Sequence, residues 1–323
     1  MHMKPMIMTC GDPSGIGPEI AVKACQSLGP RAGFAWLGDP RHLPDGSRWA
    51  LISEPSDVLR VAPGVLPVLR HEFPTLASPG APDPANARSV VDVIARAVGL
   101  VQSGEALGIV TCPINKAALK AGAGFAFPGH TEFLAKLAGT ERVVMMLACD
   151  ALRVVPVTIH IPLNEVAGNL TEALLEDTLR LTYAGLKKDF GIASPRLAVA
   201  GLNPHAGESG LMGQEEDRVI IPVLERLRRE GMLLSGPMPA DTMFHAAARA
   251  NYDAAVCMYH DQALIPIKTI DFANGVNVTL GLPFIRTSPD HGTAYDIAGK
   301  GTADASSLIA AASLAQDMAD RRQ

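Results

Sequence analysis

The run Ala254-Ala255-Val256-Cys257-Met258 contains no polar side chain, and it stops abruptly at Tyr259-His260-Asp261-Gln262. Five apolar residues in a row have no polar side to turn toward water, so they read as a strand covered on both faces. Such strands belong to parallel sheets whose helical crossovers lie over them. The rest of the chain keeps the same alternation. Residues 6–10, 34–37, 107–111, 143–148, 154–159 and 197–201 are short apolar strands, the fourth and fifth of them paired about Cys149-Asp150-Ala151. Apolar spacing predicts helices over 85–104, 170–190, 215–230 and 306–318, with others starting near Pro18 and Thr131 and after Lys116. Residues 41–84, rich in proline and glycine, read as irregular strands and loops, and 236–244 as a loop set by prolines. The expected class is α/β, with a mostly parallel sheet flanked by helices.

A length of 323 residues allows one large or two ordinary domains. With 48% hydrophobic and 19% charged residues the chain is globular rather than disordered. A net charge of -5 without a Lys/Arg run excludes a nucleic-acid surface. No apolar stretch reaches membrane-spanning length. Strand-like residues begin at once, so no secretory leader is expected, and Met3 reads as the natural start behind Met1-His2. The five cysteines are scattered, with no CxxC pair, which fits free thiols in a reducing cytoplasm.

Polar residues gather where apolar runs end. His160, His205 and His260 each come after such a run. In a parallel sheet those points share one edge, so three imidazoles there make a nitrogen site for a divalent ion. Asp241 and Asp261 are placed to hold the imidazole tautomers. His42, His71 and His245 read as surface residues. Phe127-Pro128-Gly129-His130-Thr131-Glu132 leads into a helix whose free N–H groups suit a phosphate, with His130 and Thr131 as added donors; alternatively Thr131 merely caps the helix. Lys268, Asn277 and Arg286 come after the 254–258 strand, ahead of a glycine-rich loop with Asp290, His291 and Asp296. That clustering reads as one loop region bearing two cations and an amide. Gly11-Asp12-Pro13-Ser14-Gly15-Ile16-Gly17 either lets backbone approach a ligand or is a plain strand-helix turn. It is not the dinucleotide fingerprint, and no acidic residue is expected at the end of a second strand.

The segments GDPSGIGPEI, PGHTEFLA, TIHIPL, GLNPHAGE with GLMGQEE, GPMPADTMF, MYHDQALIPIK, GVNVTLGLPFIRTSPDHGTA and AGKGTAD, in this order, resemble the 4-hydroxythreonine-4-phosphate dehydrogenases of vitamin B6 synthesis. That family is related to isopropylmalate and isocitrate dehydrogenases. The resemblance implies two α/β/α domains with a cleft between them, residues 3–125 with 276–323 on the cofactor side and 126–275 on the metal and dimer side. It implies a homodimer whose active site is shared, so that metal ligands come from two chains. His160, His205 and His260 match the family's metal ligands, and His130, Thr131, Lys268, Asn277 and Arg286 its substrate contacts. The implied metal is zinc, magnesium or cobalt. His291, Gly292, Thr293 and Asp296 match the relatives' adenosine loop, Asp296 favouring NAD over NADP unless it only caps its turn. The implied reaction oxidises 4-phosphohydroxy-L-threonine to the 3-oxo acid, which decarboxylates to 3-amino-2-oxopropyl phosphate. Lys268 or a metal-held water takes the hydroxyl proton, with Asp241 and Asp261 in support. Sister enzymes acting on threonate or erythronate phosphate or on a cyclic diol share most of these motifs. A phosphotransacetylase-like acyltransferase shares the fold but leaves the three histidines unexplained.

Overall fold

The computed structural model describes residues 4–322, and the expected start at Met3 lies outside them. Contacts divide the chain into two compact units, one running to Glu141 and resuming over Leu282–Arg321, the other spanning Arg142–Gly281. In the first unit β1 (Met6–Thr9) leads to α1 (Gly17–Leu28), β2 (Phe34–Gly38), β3 (Trp49–Ile52), β4 (Leu66–Arg70), α2 (Ala87–Gln102), β5 (Gly108–Thr111), α3 (Lys116–Ala123) and α4 (His130–Ala138). The second unit carries β6 (Val144–Cys149), β7 (Leu152–Thr158), α5 (Val166–Asn169), α6 (Glu172–Asp189), β8 (Arg196–Ala200) and α7 (Ile221–Arg229). It continues with β9 (Leu233–Met238), α8 (Ala246–Arg249), β10 (Ala254–Tyr259), α9 (His260–Ile270) and β11 (Val276–Leu280). The first unit then resumes with β12 (Ile285–Pro289) and α10 (Ser306–Arg322).

The sheet of the first unit runs β3-β4-β2-β1-β5-β12, each neighbour parallel. Met6 of β1 pairs with Phe34 on one side and Gly108 on the other. The order reverses between β1 and β5, and open α/β sheets take ligands at the carboxyl ends of strands at such a point. Gly108 permits the close approach of β12, since a β-carbon there would lie 2.7 Å from the backbone oxygen of Ile285. Local chemistry sets the helices. Pro18 opens α1 within its first turn, and the Asn115 side chain caps α3 by accepting from Ala118 N at 2.8 Å. The helix α2 buries Val90, Val93, Ile94, Ala97 and Val98, the spacing of one helical face.

The sheet of the second unit runs β11-β6-β7-β10-β8-β9. The expected pair β6 and β7 is antiparallel and closes between Cys149 and Leu152. β11 also runs antiparallel to β6, while β7, β10, β8 and β9 are mutually parallel. Every residue of β10 from Ala254 to Met258 is buried. β9 was not anticipated: its glycine and proline read as the start of a loop, yet Leu233 and Leu234 pair with Arg196 and Leu197 of β8. The division between units falls at Glu141/Arg142 and Gly281/Leu282, where the resemblance implies approximate bounds at 125/126 and 275/276. Packing of α4 on α2 draws residues 130–138 into the first unit, and the pairing of β11 with β6 draws 276–280 into the second. Among the described residues no helix is long and apolar enough to cross a membrane. All five cysteines are free.

Candidate active site

Tyr259 of β10 lies in register with Thr158 of β7, so the chain leaves the sheet side by side at the ends of these two strands. His260 is the next residue after Tyr259, and His160 the second after Thr158. Their ring centroids stand 5.7 Å apart. With Thr158, Leu163 and Val166 they line a cavity of about 280 Å³. The Nδ1 of His260 lies 2.7 Å from Asp261 Oδ1. With the carboxylate accepting, Nδ1 carries the proton and Nε2 offers its lone pair. Gln262 fastens this corner: its Oε1 accepts from Met258 N at 2.7 Å and its Nε2 donates to Gly201 O at 2.8 Å, tying α9 to the end of β8. His160 holds φ 53, a left-handed conformation that non-glycine residues adopt at a cost.

His205 sits five residues past the end of β8, at φ 54, inside a turn spanning Pro204–Gly207. A buried carboxylate anchors that turn. Glu216 accepts from Leu202 N and Asn203 N on Oε1, both at 2.8 Å, and from Asn203 Nδ2 on Oε2 at 2.9 Å. The turn Ala240–Thr242 packs against it and carries Asp241, which is exposed and bonds to none of the three imidazoles. Among the described residues no three His, Cys, Asp or Glu side chains are grouped so as to hold an ion. His160 and His260 form a pair. The pair, with one tautomer held by a carboxylate, is a nitrogen donor set of the kind zinc or cobalt takes, whereas magnesium takes oxygen ligands. A complete set needs a third donor.

A second polar group lies in the first unit. Arg286 projects from β12, 3% exposed, and its Nη2 donates to Thr111 Oγ1 at 2.7 Å. The helix α4 begins beside it, after Gly129, with no side-chain cap. Thr131 therefore does not cap α4, and its half-buried hydroxyl makes no hydrogen bond among the described residues. The Nε2 of His130 is buried without a partner. Burial, then the charges of Arg286 and Lys116, hold the His130 imidazole well below its ordinary value, so it is neutral at pH 7. Burial also brings Arg286 down to about 10, against the pull of Glu132. A guanidinium, an imidazole and uncapped helix N–H groups together suit an anion.

Lys268 and Asn277 belong to the second unit. Lys268 is half-buried on α9, its ammonium 5.6 Å from the centre of the Phe272 ring, and Asn277 stands on β11 opposite Leu147. The expectation of one loop region holding Lys268, Asn277 and Arg286 is thus corrected: they stand on α9, β11 and β12. The buried neighbours Ile267, Val276, Val278 and Ile285 drive those segments into regular elements. Lys116 was not singled out from the sequence, although its place after the β5 strand and at a helix start was legible.

The loop after β12 docks on the loop after β1. Ile16 N donates to Thr293 O at 3.0 Å, and the Tyr295 hydroxyl donates to Asp12 Oδ2 at 2.7 Å. A β-carbon on Gly15 would lie 2.9 Å from Thr293 O, so this glycine admits another backbone segment of the chain itself. His291 Nδ1 is 3.0 Å from Gly292 O, while its Nε2 is buried without a partner. Asp296 is exposed and accepts no hydrogen bond among the described residues, so it does not cap the turn before Gly299. Contrary to expectation an acidic residue does stand at the end of the second strand. It is Asp39, 1% exposed, and its carboxylate is engaged by Arg41 and by Phe73 N. His42 and His71 are also not plain surface residues: they are half-buried, with ring centroids 5.0 and 5.9 Å from Phe73. His245 is exposed and caps α8.

Residues 40–315 match the family model described as pyridoxal phosphate biosynthetic protein PdxA. The chain is 65% identical over 323 residues to a 4-hydroxythreonine-4-phosphate dehydrogenase of Paracoccus denitrificans, covering 99% of each sequence. Among solved structures it is similar to a 4-hydroxythreonine-4-phosphate dehydrogenase from Klebsiella pneumoniae, with TM-score 0.90, 37% identity and 98% of each chain covered. It is more distantly similar to a terephthalate 1,2-cis-dihydrodiol dehydrogenase from Burkholderia xenovorans, with TM-score 0.69, 29% identity, and 97% of this chain and 98% of that one covered.

Proposed function

We propose, for a chain that belongs to the family of pyridoxal phosphate biosynthetic protein PdxA, that its reaction is the NAD-dependent oxidation of 4-phosphohydroxy-L-threonine to a 3-oxo acid that loses CO₂. The observation that carries this reading is similarity over the whole length, at 65% identity, to an enzyme named for that substrate. The arrangement of side chains supports it. Arg286, His130 and Thr131 offer a buried guanidinium, a neutral imidazole and free helix N–H groups to the phosphate. Lys268 and Asn277 complete the substrate contacts, and Lys268 is the candidate to take the hydroxyl proton. His160 and His260 would hold a divalent ion, with Asp261 orienting His260. When bound, that ion would supply Lewis-acid polarisation and the nicotinamide a hydride acceptor. His291, Gly292, Thr293 and Asp296 would meet the adenosine half of NAD, and the free carboxylate of Asp296 disfavours the 2′-phosphate of NADP.

The third imidazole comes, in this reading, from a second copy of the chain. Support comes from the surface of the second unit. Leu163 beside His160 is 71% exposed, Leu211 beyond the His205 turn 82%, and Phe272 beyond α9 77%. Large exposed apolar side chains close to polar site residues suit burial in a symmetric dimer. Free thiols throughout fit work in the reducing cytoplasm.

The test is NADH formation with 4-phosphohydroxy-L-threonine, beside the 4-phosphates of threonate and erythronate and a cyclic cis-diol. The highest kcat/KM should fall on the amino acid. A higher value on any of the other three assigns the chain to a sister reaction.

A further inference from the structure

The first residue of α3 is a lysine, Lys116. That is an unfavourable place for a cation, because the positive end of the helix dipole lies there. No carboxylate pairs with it directly: Lys116 makes no hydrogen bond or ion pair among the described residues. Its ammonium extends instead over the start of α4, where a β-carbon on Gly129 would lie 3.8 Å from Lys116 Nζ and 3.4 Å from Glu132 Oε2. Lys116 and the buried Arg286 both act on the His130 imidazole, whose Nε2 has no partner, at the uncapped first turn of α4. Lys116 also comes shortly after β5, on the edge where the strand order of this unit reverses. A cation set against one helix dipole and over the N-terminus of another is stabilised when an anion binds between them.

We propose that Lys116 is a further substrate-contacting residue, pairing with the phosphate group of the substrate at the start of α4 alongside Arg286 and His130. This rests on the reaction proposed above for its ligand, but not for its geometry. The neutral imidazole of His130 contributes a hydrogen bond rather than charge, which leaves Arg286 and Lys116 to balance a dianion. Phosphate recognition by two cations distinguishes the phosphorylated substrate from its free alcohol by far more than shape does.

The experiment uses the full chain and the variants Lys116→Met and Lys116→Arg. Calorimetry with inorganic phosphate should show binding to wild type, weakened about tenfold or more in Lys116→Met and largely kept in Lys116→Arg, as expected for loss of one charge-assisted hydrogen bond. KM for the phosphorylated substrate should rise by a similar factor with KM for NAD unchanged. Turnover of 4-hydroxy-L-threonine without its phosphate should not respond to the substitution. Equal phosphate affinity in wild type and Lys116→Met overturns the proposal. If phosphate binding depends on Lys116 while wild type does not oxidise the phosphorylated amino acid, the contact stands and the substrate assignment falls.

Discussion

His130 is buried beside two cations, and its folded imidazole takes up a proton far less readily than the free side chain at 6.5. The unfolded chain therefore binds more protons once pH falls below that value. The contribution of His130 is fully present above about pH 6.5 and is lost as pH drops toward the folded value. Urea unfolding monitored from about pH 7.5 to about pH 5.5 should show wild type losing more stability than His130→Gln; parallel losses would remove His130 as the cause. Asp296 makes a second residue-scale test. Its carboxylate accepts no hydrogen bond among the described residues, so Asp296→Ser should leave the fold intact. The ratio of kcat/KM for NAD over NADP should fall by about tenfold, the effect of removing one repulsive contact of about 1.4 kcal/mol. A wild type that already prefers NADP, or a ratio that does not move, excludes Asp296 as the selector.

At the scale of elements, the edge formed by β7, β10 and β8 depends on Gln262. Its amide spans from the buried Met258 N–H to the carbonyl of Gly201, so one side chain holds the first turn of α9 against the end of β8. Gln262→Ala leaves both backbone groups without that partner and should cost about 1–3 kcal/mol in chemical denaturation. Gln262→Glu keeps an acceptor for Met258 N but loses the donor to Gly201, and should fall between the two. If Gln262→Ala unfolds at the wild-type midpoint, water replaces the amide and the corner does not rely on it. The turn bearing His205 is held separately, by Glu216, which explains how a run of left-handed residues from His205 to Ser209 persists outside any regular helix.

At the scale of the molecule, the pairing of His160 with His260 within one chain bears on assembly. If the third imidazole is a second copy's, mixtures of inactive variants should respond unequally. His205→Ala mixed with His160→Ala should regain activity after subunit exchange, because one of the two sites formed can be intact. His160→Ala mixed with His260→Ala should not, because those two rings share one chain and one site. Recovery in the second mixture would place the two rings in different sites. No recovery in either, with exchange verified by mass, would mean that each chain supplies its whole ligand set.

The sequence by itself determined the α/β class, because apolar runs such as 254–258 cannot face water on either side and amphipathic spacing between them demands covering helices. It also located His160 and His260 at the ends of their strands, since a buried strand can shed polar side chains only at its end, although the helix that His260 opens was not anticipated. Tertiary structure alone decided which polar residues meet. Arg286 was legible as a cation but not as a residue of a strand, and its partner Thr111 is 175 positions away in the chain, brought close by the pairing of β12 with β5. β9 was illegible because β8 supplies the pairing that its glycine and proline weaken locally. The glycine loop after β1 carried a motif, but only its contacts with Thr293 and Tyr295 show that it receives another loop of the chain. Local periodicity encodes which face of an element is buried; which element covers that face is set by long-range packing, and a single sequence does not state it.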